Sequence, residues 1–358
     1  MKILLICTVP FSKTGIPCHI RNYYNELNKY DCAIDICSSH FDREFVRTLT
    51  DCGEGHLREL KRGDLLGYIK KLRALIKNNK YDIVHIHGNS STMSLELFAC
   101  FNLRHTITVV HAHNTSCSHP FINSFFKPFL LSLSNHKCAC SSKAGDWLYG
   151  ANTPYTVINN GITSGDYLFS NDGRKSMRNR LGVDDDCLLI GHIGEFNEQK
   201  NQKFLIDVAG SLDSKNQRYK MVLIGDGWLK DEVITYAKSC GVGDNIIVLP
   251  AQNDVTGFYS AFDLFAFPSN WEGLGMVLIE AQYSGLTCLA SDRVPLETRV
   301  TDNISYLPLK TEEWTGAIGR FKPASNEIRE TTKISDIYDI EKCASDLFRL
   351  YDSWIKAR

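Results

Sequence analysis

Leu264-Phe265-Ala266-Phe267-Pro268-Ser269-Asn270-Trp271-Glu272-Gly273-Leu274-Gly275-Met276-Val277-Leu278-Ile279-Glu280-Ala281 runs from an apolar strand through a loop into a helix. Leu264–Phe267 is a short apolar run, which suits a buried strand. Pro268 and the glycines mark the loop, and the helix begins at Met276. Two glutamates sit on this junction. Glu272 lies in the Gly-rich loop and Glu280 lies inside the helix. Gly273 and Gly275 let the backbone approach a ligand closely. The first N–H groups of a helix lack intrahelical partners and point outward, which suits a phosphate. A carboxylate accepts two charge-assisted hydrogen bonds, so Glu280 suits the hydroxyls of a ribose and Glu272 those of a sugar.

Outward from this junction the chain repeats one rhythm. In the second half, strands are expected at Cys187–Ile193, Lys220–Ile224, Ile246–Leu249 and Thr287–Ala290. Helices are expected between them at Gln202–Ser211, Leu229–Cys240, Asp254–Ala261 and Met276–Tyr283. The first half does the same. Strands are expected at Lys2–Thr8, Ala33–Cys37, Tyr81–His87, Thr106–His111 and Lys137–Ser141, with helices at Ile20–Leu27 and Leu65–Ile76. Tyr81–His87 reads as alternating apolar and polar residues. Strand–helix alternation implies doubly wound parallel sheets, and the restart implies two of them. The seam is expected between Ile162 and Gly182, a stretch rich in Gly, Ser, Asn and Asp. The expected division is 1–165, 166–337 and a closing helix in 338–358 that packs back on the first domain. Asp339 is the expected N-cap of that helix.

A chain of 358 residues suits two such domains. Lys and Arg number 40 and Asp and Glu 41, a formal charge of −1. A global basic field is therefore absent, and no nucleic-acid partner is expected. The 13 cysteines show no two-residue metal or redox spacing, and free thiols in a reducing cytosol are expected. No signal peptide is read at the start, and no apolar run reaches the length of about 18 residues needed to span a bilayer. A role at a membrane would mean lying on it.

Beyond the glutamate pair, several stretches in order resemble the retaining glycosyltransferase family 4, of the GT-B fold. They are Asp82-Ile83-Val84-His85-Ile86-His87, His111-Ala112-His113-Asn114, Cys140 to Gly150, Asn159-Asn160-Gly161-Ile162, and Gly191-His192-Ile193-Gly194 with Gln199-Lys200-Asn201. The nearest subgroup resembles bacterial enzymes of capsule, exopolysaccharide or O-antigen assembly. The resemblance implies an α/β protein of two Rossmann-like domains facing across a cleft. It implies transfer of a hexosyl unit, with retention, from a UDP-sugar donor to a glycan or lipid-linked acceptor.

By the same resemblance, His113 and Glu272 are the catalytic candidates, meeting the donor sugar. Glu280 would hold the ribose. Lys200 and the backbone of Gly273, Leu274, Gly275 and Met276 would hold the diphosphate. Gly225, Gly227, Gln252 and Asn253 would frame the base, and Gly15 and Glu195 also fall in donor loops. His87, Asn89 and His111 are the acceptor-side candidates. No metal or other cofactor is expected, since cation and helix dipole meet the leaving charge. The expected mechanism is front-face attack in which the leaving phosphate oxygen takes the acceptor's proton. A covalent route through a carboxylate stays open.

The pattern departs from the family in four places. The first loop reads Thr14-Gly15-Ile16-Pro17, so only Gly15 remains of its usual paired glycines. Glu195 stands where Arg is usual, Gln252 where a basic residue is common, and Trp228 where Pro is common. A carboxylate beside a diphosphate is repulsive. Two alternatives therefore stay open: a catalytically weak or silent nucleotide-sugar binder, and a GT-B-like nucleotide-sugar epimerase. Gly225-Asp226-Gly227 is also explained by a strand-to-helix turn alone. His111 and His113 share one strand face, but no third metal ligand is evident.

Residues 61–80 hold seven basic residues against Asp64. Their helix suits an anionic membrane surface or a simply solvated face. Phe121–Leu133 is unusually aromatic, fit either for a membrane or for burial under the first sheet. The expected location is cytoplasmic, peripheral on the inner face of the cell membrane.

Overall fold

The computed structural model describes all residues except 51, 52, 54, 55, 215–217, 253 and 333. It resolves into two units, Met1–Thr163 with Asp336–Arg358, and Ser164–Ser335. Unit 1 carries strands β1 (Lys2–Cys7), β2 (Ala33–Ser38), β3 (Leu57–Glu59), β4 (Ile83–Gly88), β5 (Ile107–Ala112), β6 (His136–Ala139) and β7 (Thr156–Val157). Its helices are α1 (Gly15–Leu27), α2 (Arg43–Val46), α3 (Leu65–Asn79), α4 (Ser94–Cys100), α5 (Pro120–Leu133) and α6 (Ser142–Tyr149). The strands are all parallel, in the order β3-β2-β1-β4-β5-β6-β7. The order reverses direction between β1 and β4. At such a switch point the loops leaving the two strands diverge and open a crevice beyond their carboxyl ends.

Helix α1 begins at Gly15, five residues before the expected start. Its buried residues Ile16, His19, Ile20, Tyr23, Tyr24 and Leu27 recur at helical spacing and pack on the sheet. The polar His19 in this stripe hides the pattern from a reading by hydropathy. β4 is buried along its whole length, not on alternate residues. A central strand of a parallel sheet is covered on both faces, so its polar residues go inside as well.

Unit 2 carries β8 (Leu188–Ile193), β9 (Tyr219–Ile224), β10 (Ile246–Leu249), β11 (Leu264–Phe267), β12 (Thr287–Ser291) and β13 (Ile304–Leu307). Its helices are α7 (Asn171–Leu181), α8 (Gln202–Asp213), α9 (Lys230–Ser239), α10 (Thr256–Ala261), α11 (Met276–Tyr283), α12 (Thr311–Arg320) and α13 (Asn326–Glu330). The order is β10-β9-β8-β11-β12-β13, again parallel, with the switch between β8 and β11.

The stretch expected as a seam contains α7. The Ser170 hydroxyl accepts from the Gly173 N–H at 3.0 Å, and Gly182 closes the helix at φ 65°. The small and polar residues that suggested a linker are the caps of a helix. Its Arg178, only 1% exposed, donates to Asp263 and to the carbonyls of Ala261 and Cys187. Arg329 donates to the carbonyls of Tyr259, Ser260, Phe262 and Ser284. These guanidiniums satisfy the carboxyl end of α10, where unpaired carbonyls and the helix dipole favour cations. They thereby fix α10 beside α11.

The chain ends in α14 (Ile340–Ala357), capped by Asp339, whose carboxylate accepts from the Glu341 N–H at 3.0 Å. Ile340, Ala344, Leu347 and Tyr351 join the core under α1. Every described cysteine is a free thiol. Among the described residues, no helix is long and apolar enough to cross a membrane.

Candidate active site

In unit 2 the loops after β8 and β11, the two sides of the switch point, are tied together. The Asn270 N–H donates to the Gln199 carbonyl at 2.8 Å, and the Asn270 side chain donates to the Glu198 carbonyl at 2.8 Å. This frame sets the Lys200 ammonium 2.6 Å from one oxygen of Glu272 and the Gln199 amide 3.0 Å from the other. The sequence reading gave Lys200 to a diphosphate and Glu272 to a sugar as separate groups. The structure joins them in one ion pair, with Glu272 only 5% exposed. The ammonium also lies over the Phe267 ring, 4.8 Å from its centre.

Helix α11 starts behind this pair. Gly275 takes φ 97°, in the left-handed region that glycine alone enters freely. The helix has no side-chain N-cap and no acidic residue in its first turn, so its own side chains leave the positive end of its dipole unneutralised. Gly273, Leu274 and Gly275 are buried and Met276 is half-buried. Further along, a Glu280 carboxylate oxygen accepts from the Tyr259 hydroxyl at 2.7 Å. Tyr259 is fully buried on α10 and fixes where that carboxylate points.

Gly225 and Gly227 have a packing reason. A Cβ on Gly225 would stand 2.1 Å from the Gly194 carbonyl oxygen, and one on Gly227 would stand 2.4 Å from that of Phe196. The two glycines let the loops after β8 and β9 lie backbone to backbone. Asp226 between them accepts from the Ala251 N–H at 2.9 Å and pairs with Lys230. Glu195 is exposed, while its carbonyl is held by the Gln202 amide at 2.9 Å. The Gln252 amide donates to the Pro250 carbonyl, Trp228 is exposed, and Asn253 lies outside the described residues.

In unit 1, parallel register places His111 beside His87. Strand residues two apart share a face. His85, His87, His111 and His113 therefore project on the same side, and α1 covers that side with His19. The His111 and His113 rings stack with centres 4.2 Å apart, and His19 lies 5.0 Å from His111 and 4.8 Å from His113. The His87 Nδ1 and His113 Nε2 atoms are 3.1 Å apart. His85 stacks on His87 at 4.1 Å and meets the Tyr351 hydroxyl at 2.6 Å. Burial, reinforced by neighbouring rings, holds His85, His87, His111 and His113 well below the ordinary histidine range. Burial pushes His19 down to about 3. These are neutral imidazoles.

His87 and His111, read as acceptor-side residues, are interior. His113 and Asn89 are half-buried. No third metal ligand was evident in the sequence beside His111 and His113; the structure brings two further histidines to them. Nitrogens of His19, His87, His111 and His113 all lie within 4.8 Å of one another. Gly15 is exposed at the first position of α1, with open space around it.

The two halves match two family models. Residues 14–164 match "Glycosyltransferase Family 4", and residues 173–315 match "Glycosyl transferases group 1". The chain is a family 4-type glycosyltransferase. It is 29% identical to "Putative glycosyltransferase EpsF" of Bacillus subtilis (strain 168), over 95% of this chain and 94% of that one. An Escherichia coli relative is 25% identical over 62% of this chain and 60% of its own length. Its name is UDP-Gal:alpha-D-GlcNAc-diphosphoundecaprenol alpha-1,3-galactosyltransferase. The crystal structure of Anabaena Alr3699/HepE in complex with UDP and glucose superposes with a TM-score of 0.79 at 18% identity. It covers 99% of this chain and 100% of that one. The fold is the GT-B fold.

Three residues of the two candidate clusters, Gln199 and Tyr259 in unit 2 and His19 in unit 1, were missed by sequence reading. Gln199 was quoted only as part of a motif, Tyr259 lies on a different helix from the carboxylate it orients, and His19 fell just before the helix expected at Ile20–Leu27. His19 had a signal, since it falls on the apolar stripe of α1 between Ile16 and Tyr23.

Proposed function

We propose that this glycosyltransferase moves a hexosyl unit, with retention, from a UDP-sugar to a glycan or lipid-linked acceptor in the assembly of a surface polysaccharide. The observation that carries the reading is the start of α11. A helix end without side-chain cap follows two buried glycines, with the Lys200–Glu272 pair before it and the Tyr259-held Glu280 within it. A diphosphate fits the helix end and the ammonium, which together offset its charge without a metal. Glu280 takes the ribose hydroxyls and Glu272 takes a sugar hydroxyl. Gly225, Gly227 and the segment after β10 frame the base through backbone, and Gly15 leaves its end of α1 open to substrate. Glu195, being exposed, does not need to face the phosphates.

In unit 1, His113 presents a neutral ring to the reacting sugar, backed by His87 and His111, with Asn89 on the acceptor side. A neutral ring accepts or donates one hydrogen bond without adding charge. The chemistry is positioning and charge stabilisation, with the leaving phosphate oxygen taking the acceptor's proton. The E. coli relative, whose name couples a UDP-galactose donor to a diphosphoundecaprenol acceptor, supports the donor class and a lipid-linked acceptor. The HepE complex with UDP and glucose supports the nucleotide.

A lipid-linked acceptor calls for a membrane surface. Helix α5 exposes Phe121 at 92% and Phe125 at 68%, which removes burial under the sheet as their explanation. The basic stretch before and along α3 is only partly free for lipid. Arg62 is spent internally on buried Glu96, and Arg73 on the carbonyls of Ala99 and Phe101. The aromatic face of α5 is thus the stronger candidate for peripheral contact with the inner face of the cell membrane.

The test is a thermal-shift screen with UDP-, GDP- and ADP-sugars, since a ligand of the folded state raises the melting temperature. The reading expects a shift with UDP-sugars that Glu280→Ala removes. No shift with any nucleotide sugar would sink it, and an unchanged shift in Glu280→Ala would sink the ribose role.

A further inference from the structure

We infer that His19, His87, His111 and His113 form a binding site for a divalent late transition-metal ion of the Zn2+ class, built entirely within unit 1. One nitrogen from each lies within 4.8 Å of every other. Tetrahedral coordination at about 2.1 Å sets ligand nitrogens about 3.4 Å apart, so closing the set requires ring shifts of about an ångström. The His87 Nδ1 and His113 Nε2 atoms already stand at 3.1 Å.

Hydrogen bonding leaves the cluster unsatisfied. Among the described residues, neither ring nitrogen of His111 has a hydrogen-bond partner, His87 Nε2 has none, and His19 has only the Asn160 side chain nearby, outside good hydrogen-bond geometry. A buried polar atom left without a partner costs about 1–3 kcal/mol. Ordinary core histidines avoid this by pairing with a carbonyl, as His192 does with that of Ala266 at 2.9 Å. A single cation would satisfy one nitrogen on all four rings at once.

The donor set names the class of ion. Four imidazoles without a carboxylate suit Zn2+, Cu2+ or Ni2+, and they do not suit Mg2+, Mn2+ or Ca2+, which prefer oxygen. An outer layer is present as well. His85 stacks on His87 while the Tyr351 hydroxyl holds its Nδ1. The Asn160 side chain faces His19, with a buried oxygen that has no partner among the described residues. That oxygen can accept the remaining N–H of a coordinated His19, the outer contact that orients metal-bound imidazoles. His113 belongs to both readings: a metal takes one of its ring nitrogens and leaves the other, as N–H, to meet the sugar.

The experiment uses the full-length protein, stripped with chelator and titrated with Zn2+ by calorimetry and with Co2+ by visible absorption. The expected result is one equivalent of each, with four-coordinate Co2+ bands and no near-ultraviolet thiolate band. Mg2+ should not compete. His111→Phe and the milder His19→Gln should each weaken binding by about tenfold or more. If His111→Phe does not fold, His19→Gln decides. No stoichiometric uptake would overturn the site. So would a thiolate signature from the cysteines, or a His19→Gln protein that binds like the parent.

Discussion

The two units lay their first six strands in the same order and reverse at the same place, yet they fill the carboxyl ends of their central strands with opposite chemistry. Unit 2 sets a charged pair there, Lys200 with Glu272, ahead of a glycine-rich helix start. Unit 1 sets five histidines there, four of them fully or almost fully buried and all held neutral by burial. The scaffold therefore supplies a position, and side-chain hydration decides what that position does. A charge can remain beside the switch point of unit 2 because its partner and the loop backbone replace water. In unit 1 the helix α1 lies directly over the site, and only groups able to shed their charge can remain.

The largest effect expected from this contrast is on acid stability. A histidine whose folded pKa lies below its unfolded value of 6.5 binds more protons when unfolded. Stability is therefore intact above 6.5 and is lost as the pH falls toward the folded value. Each such ring contributes about 1.4 kcal/mol per pH unit in that window. Among the described residues unit 1 has six of them, the five of the cluster and His136. Unit 2 has His192, pushed down to about 4 by burial. Calorimetry in chelator across this window should show unit 1 melting earlier and more steeply than unit 2. Equal acid sensitivity in both units would break the contrast.

Next is Lys200→Ala. It leaves the Glu272 carboxylate buried without its cation and removes the ammonium offered to the diphosphate. Losing one partner of a buried pair costs about 3 kcal/mol, and UDP-sugar affinity should fall by about a hundredfold. Lys200→Arg should recover part of both. Isothermal titration with the donor reads the affinity, and a Lys200→Ala protein that binds normally would remove the charged half of the comparison.

The glycines give a smaller and sharper test. Gly225→Ala forces a Cβ against a carbonyl oxygen at a φ of 156° and should destabilise unit 2 by about 1–3 kcal/mol. Gly15→Ala meets open space at the start of α1 and should change denaturant stability by less than about 0.5 kcal/mol. If Gly15→Ala nonetheless weakens turnover, that glycine serves substrate approach and not folding.

The smallest effect concerns the surface of unit 1. Phe121→Ser with Phe125→Ser should leave the melting temperature unchanged, because both rings are exposed. It should lower co-sedimentation with anionic vesicles by about three- to tenfold. Unchanged vesicle binding would detach the aromatic face from the membrane reading.

Strand–helix alternation was legible because apolar spacing within one element is a local property, and Ile246–Leu249, Leu264–Phe267 and Met276–Tyr283 stand as expected. The start of α1 and the whole of α7 were not. A buried histidine broke one apolar stripe, and cap residues in the other imitated a linker. The loop from Glu272 to Gly275 could be singled out from glycine and carboxylate alone. Its partners could not, because Gln199 and Lys200 come from the loop after β8 and Tyr259 from α10.

By itself the sequence determined two parallel α/β domains, the glutamate–glycine junction and membership of the glycosyltransferase family. Periodicity, turn chemistry and short motifs are all written within a few neighbouring residues. Only the tertiary structure decided that Lys200 neutralises Glu272, that Tyr259 aims Glu280, and that His19 closes a ring of imidazoles with His87, His111 and His113. Those meetings depend on strand register and on which helix covers which face. Both are set by packing between residues far apart in the chain, where no local pattern records them.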